Sequence, residues 1–134
     1  TKPPYRESLQ HYEWADVFAF TSLRDTSGTG LLESLAAGVP IIGLDHQGAA
    51  DMLTNESGIR IPVLNAKQTI SAFGQALIAL ANDRERLQQL SAGAIQRAYD
   101  YSWAMREPIV RKCYASVAAP DSDIKKHPEA TLVH

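Results

Sequence analysis

Two apolar runs, Ala15-Asp16-Val17-Phe18-Ala19-Phe20-Thr21 and Pro40-Ile41-Ile42-Gly43, flank a segment that limits the folds open to this chain. The segment, Ser22 to Gly38, opens with small and polar residues and closes as a helix former. The first run is rich in aromatic and β-branched residues and predicts a strand buried on both faces. The pattern from about Thr29 to Ala37 predicts a short helix, ended by Gly38 where φ > 0 is favoured. Strand, loop, helix and strand make a βαβ unit, which implies a parallel sheet with helices on its faces. The loop then falls at the carboxyl end of the first strand, where open α/β sheets bind ligands.

Ser27, Gly28, Thr29 and Gly30 are small enough for an anion to come close to backbone N–H groups at the helix start, where the helix dipole favours phosphate. Asp25 and Glu33 flank that point. Carboxylates repel phosphate but accept hydrogen bonds from hydroxyl groups. N–H groups for phosphate beside carboxylates for hydroxyls suit a nucleotide sugar. Two plainer readings stand beside this one: an acid in a first helical turn favours the dipole, and Gly28 suits a turn.

The run resembles the acidic signature of retaining GT-B-type glycosyltransferases of family four, roughly Ser-x-x-Glu-Gly-Phe-Gly-Leu-x-x-x-Glu-Ala-x-Ala-x-Gly-x-Pro-Val-Ile. Ser22, Gly28, Glu33, Ala36, Gly38, Pro40, Ile41 and Ile42 match it, whereas Asp25, Thr26, Ser27 and Thr29 depart from it. The resemblance implies that Asp25 contacts the donor sugar and Glu33 the nucleotide ribose. Ser27, Gly28, Thr29, Gly30 and Leu31 would bind the rest of the donor. It implies a Rossmann-like parallel sheet flanked by helices, the later part of a GT-B C-terminal domain. The substrate would be a nucleotide sugar with no cofactor, and the acceptor an unknown glycan or lipid-linked molecule. Likeness extends from about Tyr5 to Tyr114, with the acceptor half and the first strands of the donor half absent. Neither Arg24 nor Arg60 matches the family's diphosphate-binding basic residues. The chain alone is therefore expected to be inactive, and the absent half leaves room for peripheral membrane association. Two other functions compete. Gly28-x-Gly30 suggests a dinucleotide-binding oxidoreductase module, but Glu33 stands where the third glycine belongs. A noncatalytic α/β interaction domain would keep the fold without the chemistry.

The 134 residues suit one domain, expected over 1–117, with a tail over 118–134 too polar to bury. Thirteen basic and fifteen acidic residues leave a formal charge of −2, which gives no electrostatic reason to expect nucleic acid. No stretch approaches the roughly 20 apolar residues of a membrane span. With no signal peptide and a single Cys113, expected to serve packing, a cytoplasmic protein is anticipated. Thr1 in place of Met reads as a fragment or a processed chain.

Elsewhere the expectations are structural. Tyr5 to Trp14 reads as a packing helix with His11 at the surface. Asp45 to Asp51 reads as a loop, and the irregular spacing of Asp45, His46 and Asp51 argues against a metal. Ser57 to Val63 predicts a third strand, with Pro62 at an edge or end. Ile70, Phe73, Leu77 and Leu80 predict the core stripe of a helix, and Leu87, Leu90, Ala94 and Ala98 that of another capped by Asp83. A last helix opens at Tyr101-Ser102-Trp103 and is expected to break or kink near Pro108.

Overall fold

A computed structural model describes residues 4–24 and 28–118. The chain divides into two units at Ser102. Within the first, the described elements run α1 (Tyr5–Gln10), a short 3-10 turn (His11–Glu13), β1 (Phe18–Phe20), α2 (Thr29–Ala36) and β2 (Ile41–Leu44). They continue as α3 (Gln47–Met52), β3 (Gly58–Ile61), α4 (Ala66–Asn82) and α5 (Arg84–Asp100). The second unit contributes α6 (Trp103–Ala118).

The sheet is parallel and ordered β1-β2-β3, with Phe18 opposite Ile41 and Ile41 opposite Gly58. This is the α/β architecture expected of the βαβ pattern. Burial on both faces belongs to β2, whose four residues are all buried. β1, expected to be enclosed, has Ala19 exposed and its phenylalanines half-buried. The reason is position: β2 lies between two strands, whereas β1 stands at the sheet's edge among the described residues. β3 ends immediately before Pro62, which cannot donate to a ladder.

The period of two along β2 splits the core. Ile41 faces Leu31, Leu35, Ala49, Met52, Leu53 and Ala94, while Ile42 and Leu44 face Ile61, Leu80, Leu87 and Leu90. Thus α5 spans both layers, with Leu87 and Leu90 in one and Ala94 in the other. Its start is capped as anticipated, the Asp83 carboxylate accepting from the Arg86 N–H at 2.9 Å. Asn65 caps α4 in the same way through the Gln68 N–H at 3.0 Å.

The α4 stripe departs from expectation. Leu80 is buried and Phe73 half-buried, but Ile70 is 72% exposed and Leu77 is exposed as well. With Thr21, Leu44, Thr69 and Gly74 they line an apolar hollow of about 400 Å³. Periodicity defines a face, but burial needs something opposite it, and no described element covers the first turns of α4. Asp45 to Asp51 also differs from its expected loop, because α3 starts directly after His46. In the second unit α6 runs through Pro108 as one helix. A single missing N–H bond near the helix start leaves the later turns their own bonds, and Glu107 pairs with Arg111 one turn on. Cys113 is exposed on α6 rather than packed. The expected tail lies, from residue 119, outside the described residues. Among the described residues no helix is long and apolar enough to cross a membrane.

Candidate functional site

α2 starts at Gly28, the buried N-cap residue, whose φ of 62° is left-handed. A Cβ there would sit 2.7 Å from the Met52 sulfur. The left-handed turn demands glycine, so the match at Gly28 has a local physical cause. Gly28→Ala is expected to cost about 1–2 kcal/mol, chiefly through the left-handed backbone because the Met52 tip can move. Equilibrium denaturation measures that cost, and an unchanged midpoint would remove the left-handed turn from the site. At the other end Gly38, φ 73°, turns the chain into β2, and buried Ser34 donates to the Val39 carbonyl at 2.8 Å.

Met52 is held from α5. Arg97 donates from Nε to the Met52 carbonyl at 2.8 Å and from Nη2 to the Asp51 carbonyl at 2.9 Å. Those carbonyls end α3, where a cation is favoured. The guanidinium also lies over the Tyr101 ring, 5.0 Å from its centre. A chain of contacts therefore runs from Arg97 through α3 to the start of α2. Arg97 carried no sequence signal toward this role, since its partners are carbonyls some 45 residues away.

Glu33 lies beyond the first turn of α2, which contains no acid. The helix-dipole reading of Glu33 therefore loses its basis. The half-buried carboxylate meets two phenols: Tyr5 donates to Oε1 at 2.8 Å, and the Tyr12 hydroxyl lies 3.5 Å from Oε2. Tyr12 also reaches the Gly30 carbonyl at 3.3 Å, so its one proton is shared between two acceptors. Its ring meets Phe18 edge-on, with centres 5.8 Å apart. The packing-helix reading of Tyr5 to Trp14 is corrected here. α1 has no buried residue, and what its segment delivers to α2 is a pair of hydroxyl donors.

Both phenols have pKa values raised above the usual range. For Tyr5 the hydrogen bond to Glu33 is the main cause, and for Tyr12 it is burial, followed by the Glu33 charge. They therefore remain protonated donors through neutral pH.

Of the residues assigned from sequence, Gly28, Thr29, Gly30 and Glu33 stand together along the first half of α2. Thr29 is exposed and Gly30 half-buried. Leu31 is different: the whole residue is 0% exposed, and its side chain packs in the core. Asp25 and Ser27 lie outside the described residues. Ser22 bonds the backbone of Arg24 just before them, accepting from its N–H at 3.2 Å. Arg60 pairs with Asp45 at 3.7 Å at the end of β3. Among the described residues no three His, Cys, Asp or Glu side chains converge as metal ligands do. A pocket of about 190 Å³ beside Asp16, Pro40 and Arg84 lies at the amino ends of the strands, opposite the edge that binds ligands in such sheets. Glu33 lines a separate cleft of about 490 Å³ with Leu9, Tyr12, Glu13, Ala36 and Ala37.

Residues 2–97 match the family model for glycosyl transferases group 1. The chain is 30% identical over 103 residues to the D-inositol 3-phosphate glycosyltransferase of Nocardia farcinica, covering 77% of this chain and 22% of that protein. It is 25% identical over 125 residues to the enzyme of the same name from Corynebacterium diphtheriae, covering 90% of this chain and 27% of that protein. The chain thus spans about a quarter of the length of these relatives. A solved sucrose-phosphate synthase from Thermosynechococcus elongatus shares the fold, with a TM-score of 0.67 and 20% identity over 83% of this chain and 27% of its own. With its family model matched over most of its length, this chain belongs to the glycosyl transferases group 1 family.

Proposed function

We propose that this chain is the donor-binding part of a retaining glycosyltransferase that moves a sugar from a nucleotide sugar to an acceptor. The observation that carries the reading is Glu33, whose carboxylate takes hydroxyl hydrogen bonds on both oxygens three residues beyond Gly30 in the glycine-rich start of α2. A ribose diol offers the same chemistry as the phenols. The α2 start, with its dipole and small residues, suits the diphosphate, and stabilisation there grows as the departing nucleotide gains charge. Asp25 takes the sugar-contacting role by resemblance. No cofactor is invoked, since the nucleotide sugar is itself the substrate. Transfer is assigned to the full-length cytoplasmic protein and not to these residues alone, because the resemblance puts acceptor binding in another half.

Calorimetric titration of the full-length protein with UDP-glucose and GDP-mannose, with NAD as control, tests the reading. Binding of one nucleotide sugar, weakened by about 1 kcal/mol or more in Glu33→Ala, is expected for a lost hydrogen bond. Binding of NAD alone would favour a dinucleotide module. Nucleotide-sugar binding indifferent to Glu33 would sink the site.

A further inference from the structure

We propose that Tyr12, assisted by Tyr5, is a positioning residue that holds the Glu33 carboxylate ready for a vicinal diol. The proposal rests on the donor-site reading above and extends it to residues outside α2. A carboxylate has two oxygens and about four lone-pair sites. The phenols engage one site on each oxygen, at 2.8 Å and 3.5 Å, which leaves one site on each for a ligand. Two hydroxyls on adjacent carbons span the two oxygens of one carboxylate. The arrangement therefore presents the remaining acceptor pair in the spacing a ribose diol needs.

The alternative is a structural tie between α1 and α2. Any neutral acceptor at position 33 would serve a tie, and a partly buried carboxylate is the costlier choice. Tyr12 has no need of such a tie either, because its ring already packs edge-on against Phe18. Its hydroxyl touches both the Gly30 carbonyl and Glu33, and so links the backbone near the helix start to the acid one turn along. A free glutamate samples several rotamers, and ordering it on ligand binding costs side-chain entropy. Meeting part of that cost before the ligand arrives is preorganisation. Tyr5, 64% exposed on a helix that buries nothing, contributes less than half-buried Tyr12.

Two measurements on the full-length protein test this. In the first, UDP-glucose and GDP-mannose are titrated into wild type, Tyr12→Phe, Tyr5→Phe, Glu33→Gln and the Tyr12→Phe/Glu33→Gln double variant. Tyr12→Phe keeps the ring, so the fold is retained, and affinity is expected to fall about five-fold. Tyr5→Phe costs less. In the Glu33→Gln background Tyr12→Phe changes affinity by less than about two-fold, because the pair acts as a unit. An equal loss in both backgrounds overturns the proposal in favour of packing alone.

The second measurement follows phenolate absorbance at alkaline pH and needs no ligand. Raised folded-state values mean that the stabilisation from these phenols is complete below the usual phenol range and is lost as pH climbs through the raised values. Glu33→Gln is expected to shift the Tyr5 and Tyr12 components, identified by their loss in the Phe variants, to lower pH. If they do not move, the phenols do not hold the carboxylate and the proposal falls. If wild type binds neither nucleotide sugar, the donor reading fails and takes the diol with it, while the titration still decides whether the clamp exists.

Discussion

Gly93→Ala is expected to destabilise the protein by about 3 kcal/mol or more, although exchanging glycine for alanine inside a helix ordinarily stabilises it. Gly93 lies in the middle of α5, where alanine is the better helix former by about 1 kcal/mol. Tertiary contact reverses the sign. A Cβ at this position would lie 1.9 Å from the Glu56 carbonyl oxygen and 2.6 Å from its carbon. Both are backbone atoms of the turn leading into β3, so no side chain can swing aside. Either α5 must withdraw from the sheet or the turn must shift, and Leu87, Leu90 and Ala94 lose packing in both cases. At roughly 4–8 °C per kcal/mol for a domain near this size, the thermal midpoint should fall by more than ~10 °C. Gly74 is the internal control. It lies in α4 with nothing within 4 Å of its would-be Cβ. Gly74→Ala should therefore stabilise by about 0.5–1 kcal/mol. Denaturant titration of the two variants side by side checks both signs. A Gly93→Ala protein as stable as wild type would mean that α5 does not approach the turn as described.

Leu31→Ala is expected to cost about 3 kcal/mol of stability through lost burial and the cavity left behind. Against a typical total of about 5–15 kcal/mol, that is a large fraction. Leu31 is fully buried and packs with Leu35, Ile41, Ala49, Met52, Leu53 and Ala94. The prediction separates two roles that sequence alone merges, since the residue follows the glycine-rich start in a run that resembles a donor site. If the side chain belongs to the core, the denaturation midpoint falls and the folded protein keeps the nucleotide-sugar affinity proposed above. Lost affinity at an unchanged midpoint would return Leu31 to the ligand. Both quantities come from one preparation, with affinity read well below the unfolding transition.

The elements most legible in the sequence were those whose signals are local. Gly38 announced positive φ by residue type and adopts it, and Gly28, expected to suit a turn, is left-handed as well. Asp83 announced a cap and makes one. The Leu87, Leu90, Ala94 and Ala98 stripe identified the buried face of α5, because that face meets both layers of the sheet's packing. The α4 stripe used the same periodicity and failed at Ile70 and Leu77, since amphipathicity says which side could be buried and not whether anything covers it. β1 followed the same logic, its apolar run being identical whether it lies at an edge or in the centre.

For the candidate site the division is sharper. The sequence by itself determined a βαβ unit, the glycine at the head of α2 and an acid one turn along, because backbone conformation and helical spacing are short-range consequences of residue type. Only the tertiary structure decided that Tyr5 and Tyr12, 28 and 21 residues from Glu33, supply the hydroxyls on its carboxylate. It also decided that Arg97 braces the helix behind Gly28, and that Leu31 turns inward. These are contacts between segments distant in the chain. A residue's type states which bonds it can make, and the fold alone brings the partner within reach.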